Sequence, residues 1–436
     1  MTGIELRRLR LTELGEEQVL RTLRRPLALD TPQAAAVAEI VAAVAREGDA
    51  AVRSYTARFD QVDLAPDDFR VRPEEFAAAR RAVSPEVVSA IRLAKGRLEA
   101  YHRRQRRDGW VFEPGDGSRL GQLIVPLQRV GLYVPGGTAP LPSSVLMNAI
   151  PAKVAGVARI VLVTPPQRDG SVNPHILVAA EEAGVTEVYR VGGAQAIAAL
   201  AYGTETIPAV DKITGPGNIF VTLAKKLVFG RVGIDLLAGP SEVAVVADAT
   251  ADPRFVAADL LSQAEHDILA APLLLTPEEG LLAEVEAELA RQLAQLPRAA
   301  QAAQALAGQG AAVVTPDVAA AVALADELAP EHLELLVADP ETWLANVHCA
   351  GTVFLGASAP EPTGDYLAGT NHILPTNGTA RFASGLSVDD FVRKTSYVSL
   401  TPGVLAELAP SIIALAEVEG LQAHANAVRV RLEGRK

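Results

Sequence analysis

The chain has 436 residues, of which 49% are hydrophobic and 21% charged, a balance that is typical of globular proteins and excludes a disordered or fibrous chain. At about 150 residues per domain, this length predicts more than one domain. Acidic residues (52) outnumber basic residues (40), and the resulting net charge of −12 argues against a general nucleic-acid binder.

The single cysteine, Cys349, excludes an internal disulfide and a cysteine-rich zinc site. The N-terminal stretch is charged and has no apolar core, so it does not predict a secretory signal. Apolar runs such as 160–163 and 272–275 are far shorter than the roughly 20 residues that cross a bilayer. We therefore expect a cytoplasmic protein with neither a membrane nor a nucleic acid as partner.

The first predicted elements are helical: a charged segment over 1–30 and an alanine-rich helix over 31–48. The basic cluster 102–107 follows, between Tyr101 and Trp110. In an acidic protein we interpret this cluster as the solvated end of an amphipathic helix rather than as a nucleic-acid site.

From about residue 128 onward, short β-rich runs alternate with alanine-rich helical stretches. Such alternation predicts an α/β fold with mainly parallel sheets. The predicted strands are 129–134, 159–163, 187–191, 211–213, 242–246, 272–275, 312–314, 333–337 and 352–355. After about 386 the alternation ends, and a helical stretch over 404–431 predicts an appendage to the α/β body.

Glycine and proline follow or precede many of these strands, in the loops 135–137, 192–193, 215–218 and 239–241. Ligands of open α/β sheets bind at the carboxyl ends of strands, so we expect these loops to form the binding edge. The Rossmann fingerprint GxGxxG is absent, because the segment 215–220 has phenylalanine at the last position.

Two histidines have neighbours that suggest chemistry. Gln263 and His266 are three residues apart on a predicted helix, so both side chains share a face and could bind one metal ion, although a polar helix end has the same pattern. Glu331 and His332 are adjacent at a helix-to-strand junction and could supply bases for a water molecule and a hydroxyl.

Two further segments carry polar groups near a histidine. The loop 364–376 is rich in Gly, Asp, Thr and Asn; Asp365 offers a carboxylate to a metal ion and His372 a polar contact to a ligand. Near the C-terminus, Glu419 and His424 could complete a site. Together the four segments offer nitrogen and oxygen ligands that suit Zn²⁺ or a similar divalent ion.

The sequence blocks that contain these residues resemble the histidinol dehydrogenase family. The blocks, in chain order, are GLYVPGG (131–137), VGGAQAIAALAYGT (191–204), DKITGPGN (211–218), AGPSEV (238–243), LLSQAEHD (260–267), PEHLE (330–334), GDYLAGTNHILPT (364–376) and EGLQAHANAV (419–428). The resemblance covers nearly the whole chain beyond about residue 30.

This resemblance implies oxidation of L-histidinol through L-histidinaldehyde to L-histidine with two NAD⁺, the last step of histidine biosynthesis. It implies one zinc ion per subunit, held by Gln263, His266, Asp365 and His424, and Glu331 and His332 as the proton-transfer pair. The implied NAD⁺ contacts are Tyr133, Gln195 and Asn218. The implied substrate contacts are Ser241, Gln263, His266, His332, Asp365, His372, Glu419 and His424.

The fold implied is two Rossmann-like parallel-sheet domains without the GxGxxG fingerprint, a small helical N-terminal segment (1–30) and a C-terminal appendage. The first α/β domain, with the zinc and the catalytic residues, comprises 31–132 and 242–385, and the second, on the NAD⁺ side, comprises 133–241. The appendage (386–436) would form a homodimer and supply His424 to the partner subunit's site.

Cys349 lies outside every one of these blocks, so the aldehyde would be oxidised through water activated by Glu331 instead of through a thiol. His332 would take the hydroxyl proton, and zinc would orient the substrate. Three alternatives remain at this stage: a zinc- and NAD-dependent dehydrogenase of another polar alcohol, a zinc hydrolase that shares the metal ligands, and a binding protein without catalysis.

Overall fold

The structure is a computed structural model that describes residues 5–25, 31–136 and 140–433. Residues 1–4 and 26–30 of the predicted N-terminal segment and Gly137 of the loop 135–137 lie outside these ranges. The strands are β1 (Arg7–Arg10), β2 (Trp110–Phe112), β3 (Arg119–Pro126), β4 (Arg129–Tyr133), β5 (Arg159–Val163), β6 (Glu187–Tyr189), β7 (Lys212–Thr214), β8 (Gly233–Ile234), β9 (Glu242–Ala247), β10 (Ala271–Thr276), β11 (Ala311–Val314), β12 (His332–Leu336), β13 (Thr352–Leu355) and β14 (Val392–Ser399).

Helices occupy most of the chain between these strands. They are α1 (Leu11–Leu14), α2 (Glu16–Leu23), α3 (Gln33–Glu47), α4 (Asp49–Phe59), α5 (Pro73–Ala82), α6 (Pro85–Arg103), α7 (Pro142–Ala155), α8 (Pro174–Glu182), α9 (Gly193–Tyr202), α10 (Ile219–Val228), α11 (Pro253–Ala264), α12 (Glu279–Leu293), α13 (Ala299–Gln309), α14 (Val318–Leu328), α15 (Pro340–Trp343), α16 (Glu361–Tyr366), α17 (Pro402–Val418) and α18 (Gln422–Leu432). None of the helices in the described ranges is long and apolar enough to cross a membrane.

The chain divides into two compact units: residues 1–105 with 127–391, and residues 106–126 with 392–436. The first unit contains two parallel sheets. One has six strands in the order β1-β11-β10-β9-β12-β13, and the other has five in the order β6-β5-β4-β7-β8. The predicted α/β fold with parallel sheets is confirmed.

The central strands of the six-stranded sheet have continuous, mostly apolar sequence. Every residue of β9 (EVAVVA) and β10 (APLLLT) is buried, as expected for parallel strands covered by helices on both faces. The five-stranded sheet packs against alanine-rich helices such as α9, which is buried from Ala194 to Ala201. Counted from β4, its strands lie in the order 3-2-1-4-5, which is the order of a Rossmann sheet.

Two parts of the first unit differ from the predicted division of the chain. Residues 7–10 of the N-terminal segment form β1, an edge strand of the six-stranded sheet, before the helices α1 and α2 begin. Helices α3 to α6 pack on the five-stranded sheet and its helices, although 31–132 was predicted to belong with the six-stranded sheet. Periodicity identifies the apolar face of a helix but not the sheet that covers it.

The second unit contains an antiparallel sheet in the order β14-β3-β2 and the helices α17 and α18. β14 pairs with β3 along its whole length, from Val392 opposite Pro126 to Ser399 opposite Arg119. The predicted appendage therefore shares its sheet with residues 106–126, which precede the α/β body.

Candidate active site

Glu331 and His332 lie where β12 begins, between β9 and β13. Both side chains are buried, with relative exposures of 6% and 4%. The main chain of Glu242, the first residue of β9, contacts both: its N–H donates to Glu331 Oε2 at 3.0 Å, and its carbonyl oxygen lies 3.3 Å from His332 Nδ1. The two candidate catalytic side chains are thus positioned by the backbone of a neighbouring strand.

The surroundings of His332 define its tautomer. Nδ1 faces two acceptors, the Glu242 carbonyl and Gln263 Oε1 at 3.2 Å, so Nδ1 carries the proton. Burial lowers the pKa of His332 to about 4, which keeps the ring neutral at neutral pH. The other nitrogen, Nε2, is left with a free lone pair and can act as a base.

Burial also raises the pKa of Glu331 well above its ordinary value, and the neighbouring carboxylates of Glu242, Asp365 and Glu361 add to this effect. The Glu242 N–H acts in the opposite direction, because it stabilises the ionised carboxylate. Once ionised, such a carboxylate is a stronger base than an exposed glutamate, as activation of water requires.

This pair lies at the amino ends of β9 and β12, together with Ser241, which precedes β9 and is half-buried. The expectation that the loop 239–241 follows a strand's carboxyl end is therefore wrong for the six-stranded sheet. The expectation does hold for the five-stranded sheet, where the loops after β4, β6 and β7 lie at carboxyl ends.

A group of possible metal ligands lies next to the pair. The ligand atoms of His266, Glu361 and Asp365 are within 4.8 Å of one another, and His266 Nε2 is 4.0 Å from Asp365 Oδ2. Gln263 belongs to the same stretch as His266, whose N–H donates to the Gln263 carbonyl at 3.2 Å. The structure therefore brings together two of the four predicted metal ligands, His266 and Asp365. The Gln263 side chain lies against His332, with Oε1 3.2 Å from Nδ1.

Glu361 was not among the sequence-based candidates. It lies four residues before Asp365 on α16, so the two carboxylates share one helix face, and this spacing was the available signal. Its side chain is 1% exposed, and Oε1 lies 3.7 Å from His332 Nε2 and has no hydrogen-bond partner in the described part of the chain. A buried, unpartnered carboxylate oxygen beside an imidazole and a second carboxylate suits a divalent cation such as Zn²⁺.

Asp365 and His372 form a second contact of this site. His372 Nδ1 lies 3.5 Å from Asp365 Oδ1, and its Nε2 lies 3.3 Å from Oγ of Ser144, at the start of α7. Burial raises the pKa of Asp365, but His372, through its hydrogen bond and charge, and the neighbouring histidines lower it more, so the net shift is downward. Asp365 is therefore ionised, as a metal ligand has to be.

The three predicted NAD⁺ contacts lie at the carboxyl ends of strands of the five-stranded sheet. The Tyr133 hydroxyl accepts the Gly193 N–H at 3.2 Å, and burial raises its pKa to about 12. Gln195 is 1% exposed, yet neither amide atom has a hydrogen-bond partner among the residues that the structure describes, so a polar ligand would satisfy both. Asn218 Oδ1 caps α10 by accepting the N–H groups of Phe220 and Val221.

The loop that carries Asn218 is held by a buried ion pair. Lys225 and Asp235 are 3% and 2% exposed, and they bind opposite sides of Gly215: Lys225 Nζ donates to its carbonyl at 2.8 Å, and Asp235 Oδ2 accepts its N–H at 2.7 Å. Gly215 has φ +114°, and a Cβ there would lie 2.0 Å from the Tyr133 carbonyl oxygen, so only glycine fits.

The remaining predicted site residues, Glu419 and His424, belong to the second unit. Glu419 follows α17, His424 is on α18, and both are exposed. Their position relative to the first unit's site stays a prediction.

Comparison with known proteins gives one consistent result. The family model described as histidinol dehydrogenase matches residues 23–432. A histidinol dehydrogenase of Moorella thermoacetica is 58% identical over 400 residues, covering 92% of this chain and 94% of its own. That of Geobacillus kaustophilus is 54% identical over 413 residues, covering 94% and 97%. The crystal structure of the enzyme from Elizabethkingia anophelis matches with a TM-score of 0.92 and 41% identity, covering 98% of each chain.

With its Rossmann-type sheet, its buried acid and base, and these relatives, the protein is an NAD-dependent oxidoreductase. The chain belongs to the histidinol dehydrogenase family.

Proposed function

We propose that the protein oxidises L-histidinol through L-histidinaldehyde to L-histidine, using two NAD⁺ and one zinc ion per subunit. The observation that carries the proposal is the geometry of Glu331 and His332, a buried acid–base pair held by one backbone residue beside His266, Glu361 and Asp365.

In the first oxidation His332 acts as the base. Its neutral ring accepts the proton of the substrate hydroxyl at Nε2. At the same time a hydride passes from the carbon that bears this hydroxyl to the nicotinamide. The products are the aldehyde, NADH and one proton. His332 then transfers the proton toward solvent and is neutral again for the second oxidation.

In the second half Glu331 acts on water. Its ionised carboxylate accepts a proton from a water molecule as the oxygen attacks the aldehyde carbon, and it returns this proton to the former carbonyl oxygen, which gives the hydrate and leaves Glu331 ionised again. His332 removes a hydroxyl proton of the hydrate while the second hydride leaves, and the product is the carboxylic acid. No thiol is needed; the backbone N–H of the half-buried Cys349 donates to Asp326 at 2.7 Å.

The metal-binding residues of this proposal are Gln263, His266 and Asp365, with His424 from a partner subunit. A zinc ion held there supplies a template that orients the substrate. His372 faces the same site through Asp365, and Ser241 adjoins Glu242 at the same sheet edge, which supports both as substrate contacts. Glu419 would bind substrate from the same segment as His424.

On the cofactor side, we assign NAD⁺ contacts to Tyr133, Gln195 and Asn218. The two unpartnered amide atoms of Gln195 support this assignment, because burying them without a ligand is costly. So does the glycine-rich turn at 215–217, which lets a ligand approach the backbone closely.

A homodimer in the cytoplasm completes the proposal. The second unit exposes large apolar side chains, among them Val398 (69%), Leu415 (66%) and Val418 (88%), and exposed apolar surface of this kind marks a protein–protein interface. Through this interface one subunit would supply Glu419 and His424 to the other.

Absorbance at 340 nm tests the proposed function directly. With histidinol and excess NAD⁺ we expect two NADH per histidinol consumed, and we expect loss of turnover after treatment with a chelator and recovery with added Zn²⁺. One NADH per substrate, or faster turnover of an alcohol without an imidazole, would contradict the substrate assignment. Hydrolysis without nicotinamide reduction would indicate a zinc hydrolase instead.

A further inference from the structure

The carboxyl edge of the five-stranded sheet contains unpartnered polar atoms beyond those of Gln195. Thr164, the residue after β5, is fully buried, and its Oγ1 has no hydrogen-bond partner within residues 5–25, 31–136 and 140–433. Asp60, the residue after α4, has its Oδ2 buried without a partner in the same ranges. Each unpartnered buried polar atom costs free energy, and a carboxylate oxygen costs most, so its retention points to a ligand.

Several contacts place Asp60 at this edge. The segment that follows it runs past the loop after β5, where a Cβ on Gly170 would lie within 3.5 Å of Val62 and Leu64. Farther along the same segment, the Phe69 carbonyl oxygen accepts the backbone N–H of Arg190, the residue that follows β6. The carbonyl oxygen of Gly170 in turn accepts a hydrogen bond from the Arg190 side chain at 3.0 Å, which ties this segment to the residue after β6. Burial is the main cause of the raised pKa of Tyr133, and the Asp60 carboxylate raises it further.

The Rossmann order of the strands indicates what an acid at this position can do. In such sheets a carboxylate near the second strand accepts a hydrogen bond from the 2′-hydroxyl of the adenosine ribose of NAD⁺. Here the second strand is β5, which ends at Val163 and is followed by Thr164 and Pro165, neither of them an acid. An acid for this task can come from outside the sheet, and Asp60, which follows α4, is the candidate at its carboxyl edge.

We infer that Asp60 binds the adenosine ribose of NAD⁺ through its buried carboxylate oxygen and is the residue that selects NAD⁺ over NADP⁺. The inference rests on the proposed function and deepens its cofactor site. Thr164 Oγ1 is the neighbouring group suited to a second ribose contact. NADP⁺ carries a phosphate in place of the 2′-hydroxyl, which removes the donor and places like charges together.

Calorimetric titration of the full-length protein with NAD⁺ and with NADP⁺ tests the inference without depending on turnover. Asp60→Asn should weaken NAD⁺ binding at least about tenfold, the lower end of what a hydrogen bond to a charged group contributes. NADP⁺ binding should be unchanged or tighter, so the preference for NAD⁺ falls. Asp67→Asn is the matched control, since Asp67 is an exposed acid of the same segment; neither affinity should change.

The thermal midpoint of the nucleotide-free variant separates a ligand contact from a structural role. Asp60→Asn removes an unpaired buried charge, so its midpoint should be no lower than that of the unaltered protein. Unchanged NAD⁺ affinity, equal losses for both nucleotides, or a clearly lower midpoint would each overturn the inference. If the unaltered protein fails to bind NAD⁺, the proposed function itself fails, and this inference with it.

Discussion

Glu331 and His332 are adjacent in sequence, yet their environments give them different tasks. His332 is kept neutral with a free Nε2, whereas Glu331 is a buried carboxylate whose pKa is raised. One residue provides a base for a hydroxyl proton, and the other a strong base for water once it is ionised. This separation makes the two halves of the proposed reaction distinguishable by mutation.

Glu331→Gln should impair the second half of the reaction far more than the first. Glutamine keeps the size of the side chain but cannot accept the water proton, and loss of a general base costs about 10²–10⁴ in rate. Single-turnover formation of NADH from histidinol, compared with that from histidinaldehyde, measures the two halves separately. Equal losses in both would contradict the assignment of Glu331 to water.

Asp365→Asn should lower metal retention, because a neutral amide replaces an ionised ligand. Metal content after dialysis against a chelator measures the effect without relying on activity. Glu265→Gln is the control, since it removes a neighbouring carboxylate outside the group of His266, Glu361 and Asp365. Wild-type metal content in the Asp365 variant would rule out Asp365 as a ligand.

For individual residues, the sequence indicated most of the candidate active site but not all of it. Gln263, His266, Asp365, Glu331 and His332 could be selected from their neighbours in the chain. Glu361 was not selected, because its spacing from Asp365 is a weak signal and a glutamate in such a segment is usually exposed. Its burial depends on Glu334, Ser262 and His332, which are distant in sequence. The backbone role of Glu242 left no sequence signal at all, since every residue except proline has both a backbone N–H and a backbone carbonyl group.

Among the secondary-structure elements, those with the strongest signal were predicted best. Each of the nine predicted strands of the α/β body is present, with ends that differ by up to two residues. β1, with the sequence RRLR, was missed because an edge strand with exposed charges has no apolar pattern. β3 and β14 were missed for a similar reason, since most of their side chains remain at least partly exposed.

The loop after β7 depends on the buried ion pair between Lys225 and Asp235. Lys225→Met or Asp235→Asn alone should destabilise the fold by about 3–5 kcal/mol, because the partner left behind is a buried, unpaired charge. The double variant should lose less than the sum of the two single losses. Urea denaturation of the three variants measures this coupling.

The same variants should raise the KM for NAD⁺ more than they lower kcat, since the pair holds the loop of Asn218 at the five-stranded sheet, whereas Glu331 lies at the six-stranded sheet. Arg53→Met, which removes the exposed partner of Asp63, is the control and should change neither quantity. Strict additivity of the two single losses would show that Lys225 and Asp235 do not stabilise the loop as a pair.

For the whole molecule, the proposed dimer predicts complementation between two inactive chains. When Asp365→Asn and His424→Ala subunits exchange, half of the dimers are mixed, and one of the two sites in each mixed dimer is intact. Roughly a quarter of wild-type activity should return. Exchange demonstrated by mass spectrometry without any recovery of activity would mean that His424 acts within its own chain.

The main-chain contacts of Glu242 have a consequence for how the protein can evolve. Any residue except proline, which lacks an N–H, could make these two main-chain contacts, whereas the Glu242 carboxylate acts on the pair only by helping to raise the pKa of Glu331. Both contacts depend on the alignment of β9 with β12, and a slip of one residue would remove them together. A chain that paired β9 and β12 in the wrong register would therefore lose the positioning of both Glu331 and His332, and we expect it to have no activity at all.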